Sequence, residues 1–170
     1  MFDYKTQKAL KLKPEIFATQ IVDDEQSQNL LDLVEFLNTH KLKLRLAAKN
    51  AWEVVVRNPN NSHTNNQVLR RLRIDHENKL WSASFHYFQE YVEHITDTEL
   101  INFIWDNLRS TVCRQNCYKI KTRNFFGKDF DNMCCCEQIK VINPSEKELE
   151  YIKVLIITAK NIIESGSTTR

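Results

Sequence analysis

Only two glycines and three prolines interrupt these 170 residues, and that scarcity constrains the fold more than any other feature. Glycine supplies the positive-φ positions of tight turns, and proline pre-sets many of the others. A sandwich or barrel of many short strands needs such residues at every corner. A chain this poor in them is expected to use long helices and a modest sheet. Hydrophobic residues are 42% and charged residues 27% of the chain, as in ordinary globular proteins rather than disordered ones. The length suits one domain, because two halves would each be small for an independent core. Residues 1–170 are therefore expected to form one α+β domain.

Periodicity places the elements. Residues 1–22 show no clean period, and Pro14, Ile16, Phe17, Ile21 and Val22 suggest a docked N-terminal arm or short strand. Leu30, Leu33, Val34 and Leu37 recur at three- and four-residue spacing, which predicts a helix from about Asp24 to His40. Ala51 to Arg57 is rich in β-branched residues and reads as a strand. The asparagine-rich stretch 58–66 reads as a polar loop. Val68 to Ile74 alternates arginine with apolar residues, and Leu80 to Phe88 puts Trp81, Ala83, Phe85 and Tyr87 on one face. Three such strands in succession predict an antiparallel meander.

Thr96-Asp97-Thr98-Glu99 matches a capping box and opens a helix with the apolar stripe Leu100, Ile101, Ile104, Trp105 and Leu108. A cysteine-bearing loop with one internal glycine, Gly127, follows. A short strand from Gln138 to Ile142 ends at Asn143-Pro144, and Ser145 to Glu148 forms a second capping box. The last helix is expected to end at Gly166, leaving a frayed tail over 165–170. The expected architecture is an antiparallel sheet of three to four strands with three helices packed mainly on one face.

All five cysteines stand in the C-terminal half: Cys113, Cys117 and the run Cys134-Cys135-Cys136. No apolar run approaches the roughly eighteen residues a membrane span needs. The N-terminus lacks an apolar core with a small-residue cleavage site, so the expected compartment is the reducing cytoplasm. There, clustered cysteines hold metal, do redox chemistry or sit buried. An extended triplet would send Cys134 and Cys136 to one side and Cys135 to the other. If the preceding helix continued far enough, Cys113 and Cys117 would share one of its faces. The set Cys113, Cys117, Cys134 and Cys136 would then supply four thiolates to a tetrahedral zinc ion. Two alternatives stay open: cysteine as a small buried hydrophobe, and a redox or disulfide role.

Catalytic chemistry is not expected. None of the five histidines lies in a local signature that would make it the base for a cysteine nucleophile. The carboxylate pairs Asp23-Asp24 and Glu146-Glu148 fall at helix starts, where capping and the helix dipole account for them. Two glycines cannot supply a phosphate-binding loop. A cysteine-based redox sensor or enzyme remains a further alternative.

Net charge is only +2, but its distribution is uneven. Residues 41–75 hold eight basic and two acidic residues, and residues 107–128 hold six basic and none acidic. Were the fold to bring them together, the two segments would make one anion-attracting face. The candidate residues are Arg70, Arg71, Arg73, Arg114, Lys119, Lys121, Arg123 and Lys128. Tyr118 and Phe125 are placed to stack on bases. The plainer alternative is a solvated strand face with core phenylalanines. The expected partner is a protein or a nucleic acid, and the chain reads as a non-catalytic binding or regulatory module with a zinc-stabilised cysteine cluster. The alternative is a nucleic-acid- or anion-binding protein that regulates or antagonises a nucleic-acid machine through segments 41–75 and 107–128.

A set of short motifs carries a resemblance. Trp52-Glu53-Val54, the cysteine cluster, Phe126-Gly127-Lys128-Asp129-Phe130, and Asn143-Pro144 before the last helix occur in that order. In this the chain resembles a group of small uncharacterised cytosolic proteins of low-GC Gram-positive bacteria, over roughly residues 24–164. The resemblance implies a bacterial accessory protein and transfers no catalytic residue.

Overall fold

The computed structural model describes residues 3–21, 24–57, 66–75, 77–86, 91–109, 121–133 and 138–165. Two short helices come first, α1 (Tyr4–Ala9) and α2 (Pro14–Ile21), then α3 (Asp24–Thr39). Four strands follow: β1 (Lys43–Ala48), β2 (Ala51–Arg57), β3 (Asn66–Asp75) and β4 (Leu80–His86). One helical turn, α4 (Tyr91–His94), precedes α5 (Thr98–Asn107) and the two-residue β5 (Leu108–Arg109). The hairpin β6 (Lys121–Phe125) and β7 (Lys128–Met133), strand β8 (Gln138–Ile142) and helix α6 (Glu146–Glu164) complete the order.

The main sheet runs β1-β2-β3-β4-β8, with β5 lying along β8, and its described pairings are antiparallel. Alternation sends Trp52, Val54, Leu72, Ile74, Trp81, Ala83, Phe85, Ile139 and Val141 to one face, all buried. Against them pack Leu30, Leu33, Val34 and Leu37 of α3, Leu100 and Ile104 of α5, and Leu149, Ile152, Leu155, Ile156 and Ala159 of α6. Each Val, Leu, Ile or Phe among them contributes about 1.5–3 kcal/mol when fully buried. The sheet with its helices on one face is thus the architecture expected from the sequence, but with more elements.

Three differences have physical causes. The N-terminal arm is helical, not a strand. Asp3 caps α1 by accepting from the Thr6 amide at 2.8 Å, and Pro14 begins α2, where its missing N–H costs nothing. Buried Gln7 holds the arm: its Oε1 accepts from the Asn50 amide at 3.0 Å, while its Nε2 donates to the Asn50 side chain. Trp52 Nε1 donates to the Leu12 carbonyl at 3.2 Å. Second, residues 43–48 form a strand whose signal lay in Lys41-Leu42-Lys43-Leu44-Arg45-Leu46, an alternation of period two. Third, residues 121–133 are a hairpin rather than a loop. Phe126 and Gly127 both take positive φ, 51° and 79°, as a two-residue type I′ turn requires.

Capping also shifted at one helix. Asp97, not Thr96, caps α5 and accepts from the Glu99 and Leu100 amides at 2.8 and 3.3 Å. Glu99 instead reaches α6, pairing with Lys147 at 2.9 Å and accepting from Tyr151 Oη at 2.8 Å. The Ser145–Glu148 capping box forms as expected, and Ser165 caps the C-terminus of α6. Gly166, the tail beyond it, Tyr87 and most of the asparagine-rich loop lie outside the described residues.

Candidate anion-binding face

The same alternation that buries one face of the sheet leaves the other without a helix among the described residues. Cross-strand register aligns Arg45, Glu53, Arg71, Ser84 and Lys140 in one row across β1, β2, β3, β4 and β8. The neighbouring row holds Arg73, Ser82 and Ile142, the last 51% exposed. Lys43 adds a fifth exposed cation at the β1 edge. Against Lys43, Arg45, Arg71, Arg73 and Lys140 stand Glu53 and, at the end of β3, Asp75. The Asp75 carboxylate is engaged by the Glu77 and Asn78 amides and the Asn78 side chain.

Glu53 organises the row. Its two oxygens accept separately from Arg45 at 2.8 Å and Arg71 at 3.0 Å. Burial pushes the Glu53 carboxyl up, but the hydrogen bonds from both guanidiniums outweigh it and hold it below the ordinary value of 4.5. The arginines remain more than half exposed, at 58% and 57% of their side chains. Each therefore still presents donors to an incoming anion, oriented by the carboxylate between them.

The predicted basic residues divide. Arg71 and Arg73 stand exposed on this face. Arg70 pairs through its backbone with Val54 and Phe85, and its side chain lies outside the described residues. Arg123 is half-buried in the hairpin, and the Lys121 backbone pairs with Met133, its side chain again undescribed. Lys128 lies over the rings of Trp105 at 4.9 Å and Phe130 at 5.3 Å, so it belongs to the α5 side of the sheet. Phe125 is 2% exposed and packs edge-on to Phe130 at 5.6 Å, so its ring offers no stacking surface. The expectation that both basic segments share one face is not met among the described residues. Arg114, Tyr118 and Lys119 lie outside them. Lys43, Arg45 and Lys140 are the members that sequence reasoning did not single out, although the period-two run at 41–46 carried the signal for two of them.

The proposed zinc ligands Cys113, Cys117, Cys134 and Cys136, and also Cys135, lie outside the described residues. One premise behind them does not hold: α5 stops at Asn107 and the chain turns into β5, so that helix does not run on to Cys113. What replaces it is topological. Residues 110–120 and 134–137 are the two connections between the β6–β7 hairpin and the main sheet. They leave the sheet from paired residues, Arg109 and Gln138, and reach the hairpin at paired residues, Lys121 and Met133. All five cysteines lie in these two connections.

Fold and face together define an α+β chain with a one-sided antiparallel sheet and a basic open surface. No helix among the described residues is long and apolar enough to cross a membrane. No protein family, curated protein or solved structure matches the chain.

Proposed function

We propose that this protein is a non-catalytic binding module whose open sheet face receives an acidic protein surface. The observation that carries the reading is the row Arg45–Glu53–Arg71, flanked by Arg73 and Lys140 and exposed on a face with no helix over its described residues. Guanidiniums held by a shared carboxylate are pre-oriented, so less entropy is lost when they bind carboxylates of a partner. Exposed Ile142 beside Ser82 and Ser84 adds apolar and hydroxyl contact of the kind protein interfaces use. The described part of the face carries no aromatic ring for bases to stack on.

Fluorescence anisotropy with a glutamate-rich polypeptide as probe tests this. The Arg71→Glu/Arg73→Glu double variant is expected to weaken binding about tenfold or more, with a steep salt dependence in the parent protein. Unchanged binding would sink the reading. A single-stranded oligonucleotide of equal charge that bound more tightly than the polypeptide would move the reading to nucleic acid.

The cysteine cluster enters the same reading as a structural staple, with Cys113, Cys117, Cys134 and Cys136 holding zinc between the two connections. Its support is the paired start and paired end of those connections, which favour one cross-link between them. One zinc per chain, lost in Cys113→Ser or Cys136→Ser with a lower melting temperature, is the expected outcome. A metal-free protein with five titratable thiols would exclude it.

A further inference from the structure

A trench runs between the N-terminal arm and the free edge of the sheet. It has a volume of about 570 Å³ and is bordered by four consecutive residues of β1, Lys43, Leu44, Arg45 and Leu46. Consecutive strand residues point to opposite faces, so a space that touches four in a row must run along the strand's edge, where its outward backbone groups lie. Among the described residues β1 pairs on one side alone, with β2. At about 3.3 Å per residue those four positions offer roughly 13 Å of unpaired strand.

The opposite wall carries Lys8, Lys11, Leu12, Lys13 and Glu15 from α1, α2 and the turn between them, and Trp52 and Leu42 also line the space. Five cations therefore stand around the trench against a single carboxylate. Glu15 Oε2 is enclosed, and no donor from the described residues reaches it.

We infer that the free edge of β1 is a docking strand for an extended acidic segment of the partner protein, which adds to the sheet as one more strand. Main-chain hydrogen bonds to β1 supply the pairing. Apolar side chains at alternate positions reach Leu12, Leu44, Leu46 and Trp52, and acidic ones meet Lys11 and Lys13 on one side or Lys43 and Arg45 on the other. The edge faces a walled space whose charge is opposite to the occupant's.

This inference rests on the reading of the protein as a receptor for acidic protein, and its test separates the two. The probe is a blocked peptide of roughly ten residues alternating glutamate and valine, long enough to cover β1. Its twin carries N-methyl groups at alternate amides, which removes strand donors without changing charge. Nuclear magnetic resonance titration is expected to shift the amides of 43–48 and slow their hydrogen exchange. The methylated twin and the Lys11→Glu/Lys13→Glu variant are each expected to bind about tenfold more weakly. Equal binding of the two peptides would overturn strand addition. Loss of peptide binding in the Arg71/Arg73 variant, with the Lys11/Lys13 variant unaffected, would place the peptide on the open face and overturn the inference while leaving the proposed function intact.

Discussion

Gln7 shows how much one polar side chain can hold. It is 0% exposed and bonds both the amide and the side chain of Asn50. The Asn50 carbonyl in turn accepts from Ile74 N at 2.9 Å, so the arm is tied to the β1–β2 turn and through it to β3. Asn50 has φ 53°, a left-handed conformation asparagine tolerates better than most residues. Gln7→Leu keeps the volume but strands two buried groups of Asn50. We expect it to cost about 1–3 kcal/mol, read as a lower urea midpoint at unchanged slope. Gly127 is a purely conformational case, because a Cβ there would meet nothing within 4 Å but φ is +79°. Gly127→Ala should cost about 1–2 kcal/mol from backbone strain alone. Glu53 links charge to pH. Its folded pKa lies below the unfolded one, so its contribution is complete above the unfolded value and is lost as pH falls through the folded value. Glu53→Gln should therefore flatten the loss of stability below about pH 4.5, measured by thermal unfolding across that window.

Among the elements, the hairpin β6–β7 depends most on a neighbour. A two-stranded sheet is marginal by itself in water. Here Phe125 and Met133 insert into the core, and Trp105 Nε1 of α5 donates to the Phe125 carbonyl at 2.8 Å. Asn124 braces the turn, accepting from the Gly127 amide at 2.9 Å and donating to Asp129 at 2.8 Å. Trp105→Phe keeps a ring beneath Lys128 but removes the indole donor. It should raise amide exchange selectively over 121–133, with a global cost of about 1 kcal/mol. The hairpin was hard to read because its turn residues are Phe126-Gly127, not the Asn-Gly or Asp-Gly pair that marks such turns, and its polar strands lack alternation. α3, β2, β4, β8 and α6 were legible, by contrast. α3, β4 and α6 combine a clean period with a burial pattern that the packing then uses, and β2 showed in its β-branched composition.

Across the whole molecule, the helices on one face leave the charged rows on the other, and that division decides what the protein can touch. Lys153 illustrates the cost on the helical side. Burial alone would push its ammonium down, but hydrogen bonds to Asp32 and Glu150, each at 2.7 Å, raise it above the ordinary lysine value. It joins α6 to α3 beside the Phe36 ring, at 5.7 Å from its centre. That cation is spent internally, whereas Arg71, Arg73, Lys140 and Lys43 remain turned outward. Composition could not distinguish the two sets, since a net charge of +2 hides both.

By itself, the sequence determined the class of fold and about half of the described elements, because helix and strand periods and capping residues are local signals written in neighbouring positions. It also determined that charge is clustered along the chain. Which cations share a face was decided by tertiary structure alone, because register across five strands aligns residues as distant as Arg45 and Lys140. The same holds for the fate of the second basic segment. Phe125 went to the core and Lys128 to the Trp105 ring because α5 offered an apolar surface and an indole donor, and neither is visible in the spacing of residues 107–128.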